Sequence, residues 1–498
     1  MTTVAMPSQK NPLVTDIVHG EIHLTPLERD IIRTGTFART ANIKALGLAY
    51  YVWPGATHTR FSHSVGCMHI VGKIARHLQL DGELDDRDVD DLRLAGLLHD
   101  VGQYPLSHVV EAVYRQIAGA KSEVYLEDPS VLASIGQQPL LWRAAVRPPG
   151  IDAARDKALA QTVIMNRRDI QRVFKKHGFT QDRVDRVVAI IAGKHLDTLF
   201  GHLLDSEYDC DRFDYVLRDS KSAGVSYGLI ELDYLIENMT VSHPDDGKSP
   251  DRVLAVNGRR ALHALEHFLM ARYFMYSQVI YHKTVRSLEL LARAAYLGLV
   301  EEGLVYPDFE RIQEIVSKNE FILFNDFYFL EKLHKYCRRR QQKPELKRIV
   351  ERVLFRRPLH FMREFKCLAK SGQEPPEYAI PRNWLKSPDN LATLADDSGL
   401  SPGQIVVEEL PVEMVPFGSE IPVDVAMRDD KEMRRAVTRS PRLFDDETQK
   451  TIYLFQDRGS LLADLAGKHL RLLRVYVNSD DPATHGQLRK AIRTRTGY

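Results

Sequence analysis

The sequence predicts a mainly α protein: a helical core followed by a smaller mixed α+β C-terminal region. Two observations carry that reading. Apolar residues recur at helical spacing from about Leu24 to Leu299. Strand-like runs, QIVVEEL and KHLRLLRVYV, appear only late in the chain, among turn-forming stretches such as SGQEPPEYAIPRNW and SPDNLATLADDSGLSPGQ. No internal repeat or low-complexity tract competes with it.

Taken in order, the predicted helices are Pro26–Arg39, Ser62–Leu78, Asp86–His99, Arg183–Lys194, Asp209–Ser222 and a long one over Ala261–Leu297. The helix over Ser62–Leu78 has a buried face of Phe61, Val65, Met68 and Val71. The helix ending at His99 has Leu92, Leu94, Ala95, Leu97 and Leu98, and is stopped by Gly102 and Pro105. Between them and the later helices, Ala118–Asp156 is less apolar and holds Pro129, Pro139, Pro148, Pro149 and Gly150, which suits a lid, an insertion or a surface loop. Asp308–Arg357 is helical again. The expected division is a flexible N-terminus over 1–15, a helical domain over 16–300, a helical extension over 301–370 and an α+β region over 371–498.

The 498 residues carry 68 Lys/Arg against 67 Asp/Glu, a net +1, so the chain as a whole is no general polyanion binder. One local excess stands out: Arg338–Lys366 holds 11 Lys/Arg and 3 Glu, a basic run that suits nucleic acid, a phosphate effector or simply a solvated face. Cys67, Cys210, Cys337 and Cys367 are scattered with no CxxC pair, which points to a reducing compartment rather than a disulfide scaffold. The stretch MTTVAMPSQKNPLVTD lacks the apolar core of a secretory signal, and no run reaches the roughly 18 apolar residues of a membrane span. The expectation is a cytoplasmic protein without a membrane partner.

The chemistry concentrates in LLHDVGQYPLSH, Leu97–His108. His99 and Asp100 lie beside an apolar run, where ionisable side chains need partners. On a regular helix they would diverge by about 100°, but a relaxed helix end lets both face one point. His63, in THTRFSHSVG, and Asp211, in YDCDRFDYVLRD, fall on two other helices. Two imidazoles and two carboxylates form a donor set for a divalent ion such as Mn²⁺, Fe²⁺, Mg²⁺, Zn²⁺ or Ni²⁺, with Mn²⁺ favoured. The competing reading makes His99 and Asp100 helix caps.

The order H…HD…D resembles the HD-domain phosphohydrolases. The flanking segments DIVHGEIHLTPLERDIIRT, FARTANIKALG, YYVWPGATHTRFSHSVG, AGLLHDVGQYPLSH and DCDRFDYVLRD resemble in order and spacing the dNTP triphosphohydrolase branch, which includes the vertebrate SAM-and-HD-domain dNTPase. The similarity continues through ARYFMYSQVIYHK and VERVLFRRPLHF. It implies His63, His99, Asp100 and Asp211 as metal ligands, and Arg60, Arg212, Tyr215, Asp219 and Arg272 as phosphate and sugar contacts. Asp211, Tyr215 and Asp219 share one helical face at i, i+4 and i+8, and Arg272, Tyr276 and Lys283 share another. Guanidinium forks suit phosphate oxygens. The bland alternative pairs Arg212 and Arg218 with Glu207 and Asp214. The resemblance further implies a nucleotide substrate, water attack at the α-phosphorus to release nucleoside and triphosphate, and a homo-oligomer, dimer or tetramer.

Three positions depart from the family pattern. Gln103 stands where the motif HDxGHGPFSH has a histidine, and Leu126, beside Glu127, stands where a downstream HE pair has another. Neither glutamine nor leucine exchanges protons as imidazole does. Ala45 replaces a glutamine that reads the sugar. His108, with Glu111 three residues on to orient it, is the acid/base candidate left, alongside the catalytic carboxylate Asp211. Arg33, Ala38 and Ala41 replace the polar residues that read a guanine effector, so that specificity is expected to be absent or altered. The leading functional reading is a dNTPase-like phosphohydrolase. An HD-type phosphodiesterase or nuclease, and a weakly catalytic nucleotide sensor or scaffold, are its alternatives.

Overall fold

The computed structural model describes residues 12–120, 138–145, 155–242, 252–370, 372–410, 439–465 and 468–498. It begins with a hairpin, β1 (Leu13–Asp16) and β2 (Gly20–His23), so a strand starts inside the stretch expected to be flexible. The helix expected over Pro26–Arg39 is instead two: α1 (Pro26–Ile32), capped by a Thr25–Glu28 box, and α2 (Gly35–Ala38), for which Thr34 is a second N-cap. Apolar spacing ran through the break because both pieces face the same core.

Three helices build the centre. α3 (Arg60–Leu80) packs along α4 (Asp86–Leu98), burying Val65, Met68, Val71, Leu94 and Leu98 between them. His99 is the C-cap of α4, and α5 (His108–Ala120) follows after a tight segment. In that segment Leu106 and Ser107 both take the left-handed conformation at φ 53°, which costs non-glycine residues free energy unless the surroundings hold them. Asp326 Oδ1 accepts from the Leu106 amide at 2.7 Å, and Ser107 Oγ donates to the Lys44 carbonyl at 2.8 Å. α6 (Asp156–Asn166) then crosses Gly102, whose missing side chain permits the approach: a Cβ there would lie 2.2 Å from the Ala160 nitrogen. α7 (Cys210–Ala223) lies on α3.

The long helix expected over Ala261–Leu297 is interrupted. α8 (Gly258–Phe274) runs into a π turn, Met275–Ile280, and α9 (Lys283–Glu301) starts afresh with His282 capping the Thr284 amide. Arg272 and Tyr276 remain near α7, but Lys283 is carried away to lie 4.8 Å over the Phe361 ring. Past α9 the chain is helical to α10 (Pro344–Leu354).

The strands form two further sheets. In the first, β3 (Met239–Ser242) and β4 (Val253–Asn257) of the helical part join β7 (Arg442–Asp445) and β8 (Lys450–Tyr453), the β4–β7 pairing being parallel. In the second, β9 (Lys468–Val477) is central between β5 (His360–Lys370) and β6 (Ile405–Leu410). Thus β5, inside the stretch expected to be a helical extension, is a strand. Met362, Phe365, Leu473 and Val475 cover a second core beneath this sheet, while α3, α4, α5 and α9 share the main one. The protein is mainly α, with small sheets and a mixed C-terminal region.

Candidate metal centre

His63 on α3, His99 at the end of α4 and Asp211 on α7 bring donor atoms within 4.8 Å of one another, and Asp100 lies beside them, turning one oxygen to each imidazole. His63 Nε2 lies 2.9 Å from Asp211 Oδ1 and 3.9 Å from Asp100 Oδ2; His99 Nε2 lies 3.5 Å from Asp100 Oδ1 and 3.9 Å from Asp211 Oδ1. Ligands about 2.1 Å from a shared ion sit roughly 3.0–3.4 Å apart, so the closer of these edges already suit one. The cap reading of His99 is also met, and it helps: Nδ1 bonds the Gly96 carbonyl at 2.8 Å, which puts the ring proton there and leaves Nε2 as the free lone pair. That Nε2 is buried and has no hydrogen-bond partner among the described residues. A buried imidazole nitrogen aimed at two carboxylates fits a divalent cation.

Asp214, which no sequence argument singled out as a site residue, orients this set. Its Oδ2 lies 2.8 Å from His63 Nδ1 and its Oδ1 2.7 Å from His19 Nε2; Arg218 donates to both oxygens and also to Asp16. The bland pairing of Arg218 with Asp214 therefore exists, but deep inside the protein. Burial alone would push the His63 pKa down; the Asp211 and Asp214 carboxylates outweigh it and hold it up at about 10. Burial raises the Asp100 carboxyl, but the Arg60 guanidinium and the two imidazoles bring it well below the usual carboxylate range. Cys67 also approaches, its Sγ 3.6 Å from both His63 ring nitrogens. Equal distances place the thiol over the ring face, away from the in-plane lone pair, so it packs on a ligand rather than joining the set.

The expected substrate contacts are spread around this point and mostly paired. Arg60 donates to Asp100 Oδ2 at 2.7 Å and Ser107 Oγ at 2.9 Å, with Nη2 3.3 Å from His108 Nε2. Arg212 bonds Asp209 at 2.6 Å and lies 3.7 Å from Glu207, the pairing the bland reading offered; Arg272 also bonds Glu207. Each of these two arginines keeps a buried Nε without a hydrogen-bond partner among the described residues. The Tyr215 and Tyr276 hydroxyls are 3.5 Å apart. Asp219 is engaged by His58 Nε2 at 2.8 Å, a partner 161 residues away in the chain that local spacing does not reveal.

His108 Nδ1 bonds Glu111 Oε2 at 2.8 Å. A third group joins them: Asp156, the first residue of α6, whose ligand-type oxygen lies within 4.8 Å of theirs. Gln103 Nε2 donates to Asp156 Oδ2 at 2.6 Å and to Asp100 Oδ1 at 3.3 Å. Leu126 and Glu127 lie outside the described residues. In the basic run, Arg339 and Lys343 pair with Glu302, and Arg352 is buried against Asn478 and Asp480. Among the described residues no helix is long and apolar enough to cross a membrane.

Residues 60–147 match the family model of the HD domain. An uncharacterized protein of Methanocaldococcus jannaschii is 29% identical over 324 residues, 65% of this chain and 57% of its own length. The Dictyostelium discoideum homolog of the deoxynucleoside triphosphate triphosphohydrolase SAMHD1 is 24% identical over 324 residues, 63% of this chain and 54% of its own. The chain thus spans little more than half the length of these relatives. A crystal structure of a hypothetical protein from Aquifex aeolicus shares the fold, with a TM-score of 0.65 and 23% identity over 97% of this chain and all of that one. Over residues 60–147 the chain is similar to an HD domain. Its core resembles that of SAMHD1.

Proposed function

We propose that this protein is a metal-dependent HD phosphohydrolase acting on nucleotides, most nearly a dNTPase that releases deoxynucleoside and triphosphate. One observation supports it above the rest: the gathering of His63, His99 and Asp211, with Asp100 beside them, around a buried His99 Nε2 that has no hydrogen-bond partner among the described residues. A divalent ion held there supplies Lewis acidity to the phosphate and to the attacking water. Asp214 and the Gly96 carbonyl hold the two imidazoles with Nε2 inward. Arg212 and Arg272 each retain an Nε–H for a phosphate oxygen, and Arg60 sits between Asp100 and His108, where it can follow the scissile group. A homo-oligomer and a cytoplasmic setting belong to the same reading. The paired state of Arg339, Lys343 and Arg352 makes the basic run a weak argument for a nuclease.

The test is a product analysis. Metal-stripped protein is reloaded with Mn²⁺ and offered each dNTP and rNTP, and anion exchange separates the products. Nucleoside plus triphosphate, abolished by Asp211→Ala, is the expected result. Nucleoside monophosphate would redirect the reading to another phosphohydrolase, and binding without any turnover would leave a sensor.

A further inference from the structure

Asp205, Glu207 and Asp209 occupy alternate positions between the helix Thr198–Leu204 and α7, just ahead of Asp211. The cations that hold them come from four parts of the chain. Lys157, the second residue of α6, places Nζ 3.4 Å from Asp205 Oδ1. Arg439, three residues ahead of β7, donates to Asp205 Oδ2, and its carbonyl accepts from the Glu207 amide at 3.2 Å. Arg272 of α8 and Arg212 of α7 pair with Glu207, and Arg212 also pairs with Asp209.

The four cations outnumber the three carboxylates, and they are not fully served. Only 6% of the Arg272 side chain is exposed, and its Nε, like that of Arg212, has no hydrogen-bond partner among the described residues. A buried N–H without an acceptor costs free energy that an arriving oxygen recovers. Lys157 and Arg439 stay 30% and 24% exposed, so a ligand can reach them. The cluster adjoins the candidate metal centre on two sides. Arg212 follows Asp211, and Lys157 follows Asp156, which is joined through Gln103 to Asp100. Cations spread along three separate carboxylates suit a ligand with several linked anionic groups better than a single phosphate.

We propose that Lys157 and Arg439 seat the terminal phosphate of a nucleoside triphosphate, which displaces the Asp205 carboxylate from them; this rests on the phosphohydrolase reading above. Arg212 and Arg272 then hold the chain between that seat and the metal centre. Neither Lys157 nor Arg439 lies in a segment that carries the family resemblance. Asp205 already fills the seat as a phosphate would, with one oxygen met by an ammonium and the other by a guanidinium. Burial raises its carboxyl, but Lys157, Arg439 and Arg212 outweigh burial and hold it well below the usual carboxylate range. The seat selects by chain length: a triphosphate reaches Lys157 and Arg439, and a monophosphate does not. It also gives the C-terminal region, through Arg439, a direct part in substrate binding.

The test reads binding and turnover separately on full-length, Mn²⁺-loaded protein, with excess Mg²⁺ to saturate chelation by the ligands. Calorimetric titration with inorganic tripolyphosphate is expected to show about 10-fold weaker binding in Lys157→Ala and in Arg439→Ala. Lys157→Arg, which keeps the charge, should restore it, and Asp205→Asn, which removes the competing charge, should bind more tightly than wild type. In turnover, the alanine variants should raise KM for a dNTP about 10-fold with kcat, and inhibition by the matching dNMP, unchanged to within about 2-fold. Alanine variants that bind tripolyphosphate as wild type does, or that weaken tripolyphosphate and dNMP equally, would overturn the seat. So would an Asp205→Asn variant that binds no more tightly, which decides the matter if the alanine variants do not fold. Tripolyphosphate binding that needs Lys157 and Arg439, without turnover of any dNTP, would keep a polyphosphate site and remove the dNTPase reading. Turnover of dNTPs with indifferent variants would remove the seat alone.

Discussion

At the residue scale, the second carboxylate of α7 decides how well the first one works. Asp214 bonds His63 Nδ1, so Nε2 is left to face Asp211, Asp100 and His99. Asp214→Asn keeps the size but turns an obligate acceptor into a group that can also donate. Loss of such a partner typically weakens metal binding roughly 10- to 100-fold. Calorimetric titration with Mn²⁺ should show that drop, and an unchanged affinity would remove Asp214 from the account. Gly66 is the steric side of the same feature: a Cβ there would lie 1.9 Å from Asp214 Oδ1 and 2.5 Å from an Arg218 nitrogen. Overpacking plus a disturbed buried ion pair makes Gly66→Ala destabilising by about 3 kcal/mol or more, measured by urea unfolding. A valine or alanine tolerated at that position would mean the Asp214–Arg218 pair is not held as described.

At the scale of elements, Glu207 ties the loop before α7 to α8 through Arg272, with Arg212 nearby. Burial raises its carboxyl pKa, but Arg272 and Arg212 outweigh burial and bring it down to about 2. A folded-state pKa below the unfolded value means stability that is present above about pH 4.5 and lost as pH falls through 2. The advantage of wild type over Glu207→Gln is thus expected to be roughly 3 kcal/mol at pH 6 and to shrink steadily below pH 4.5 in denaturant titrations; a gap independent of pH would contradict the pairing. The same elements show what the sequence could and could not reveal. α3, α4 and α7 were legible because each presents one apolar face to one core and carries its ligand on the same side or end. The break at Thr34 and the π turn at Met275–Ile280 were not, because apolar spacing continues across both while a cap and an i−5 bond from Tyr281 to Tyr276 change the backbone. Asp156 was missed for a related reason: it reaches the cluster through α6 crossing Gly102, a long-range approach that local spacing does not encode.

At the scale of the molecule, the candidate ligands come from α3, the end of α4 and α7, elements separated by up to 148 residues in the chain (Asp211 and His63). An ion held by all of them binds the folded protein and not the unfolded one, so it adds RT ln(1 + [L]/Kd) to stability, about 2.7 kcal/mol at a concentration 100 times Kd. The main core formed by α3, α4, α5 and α9 is apolar and continuous, its residues Val65, Leu97, Val110 and Leu291 all but inaccessible to solvent. The metal-stripped protein should therefore stay folded, unlike a small zinc domain, and unfold a few degrees lower. Melting curves across a Mn²⁺ series should rise with the logarithm of concentration above Kd, return to the starting Tm on chelation, and stay flat in His63→Ala and Asp211→Ala. A rise of equal size in both variants would place the ion elsewhere, and collapse of the metal-stripped protein would mean that the core depends on the ion after all.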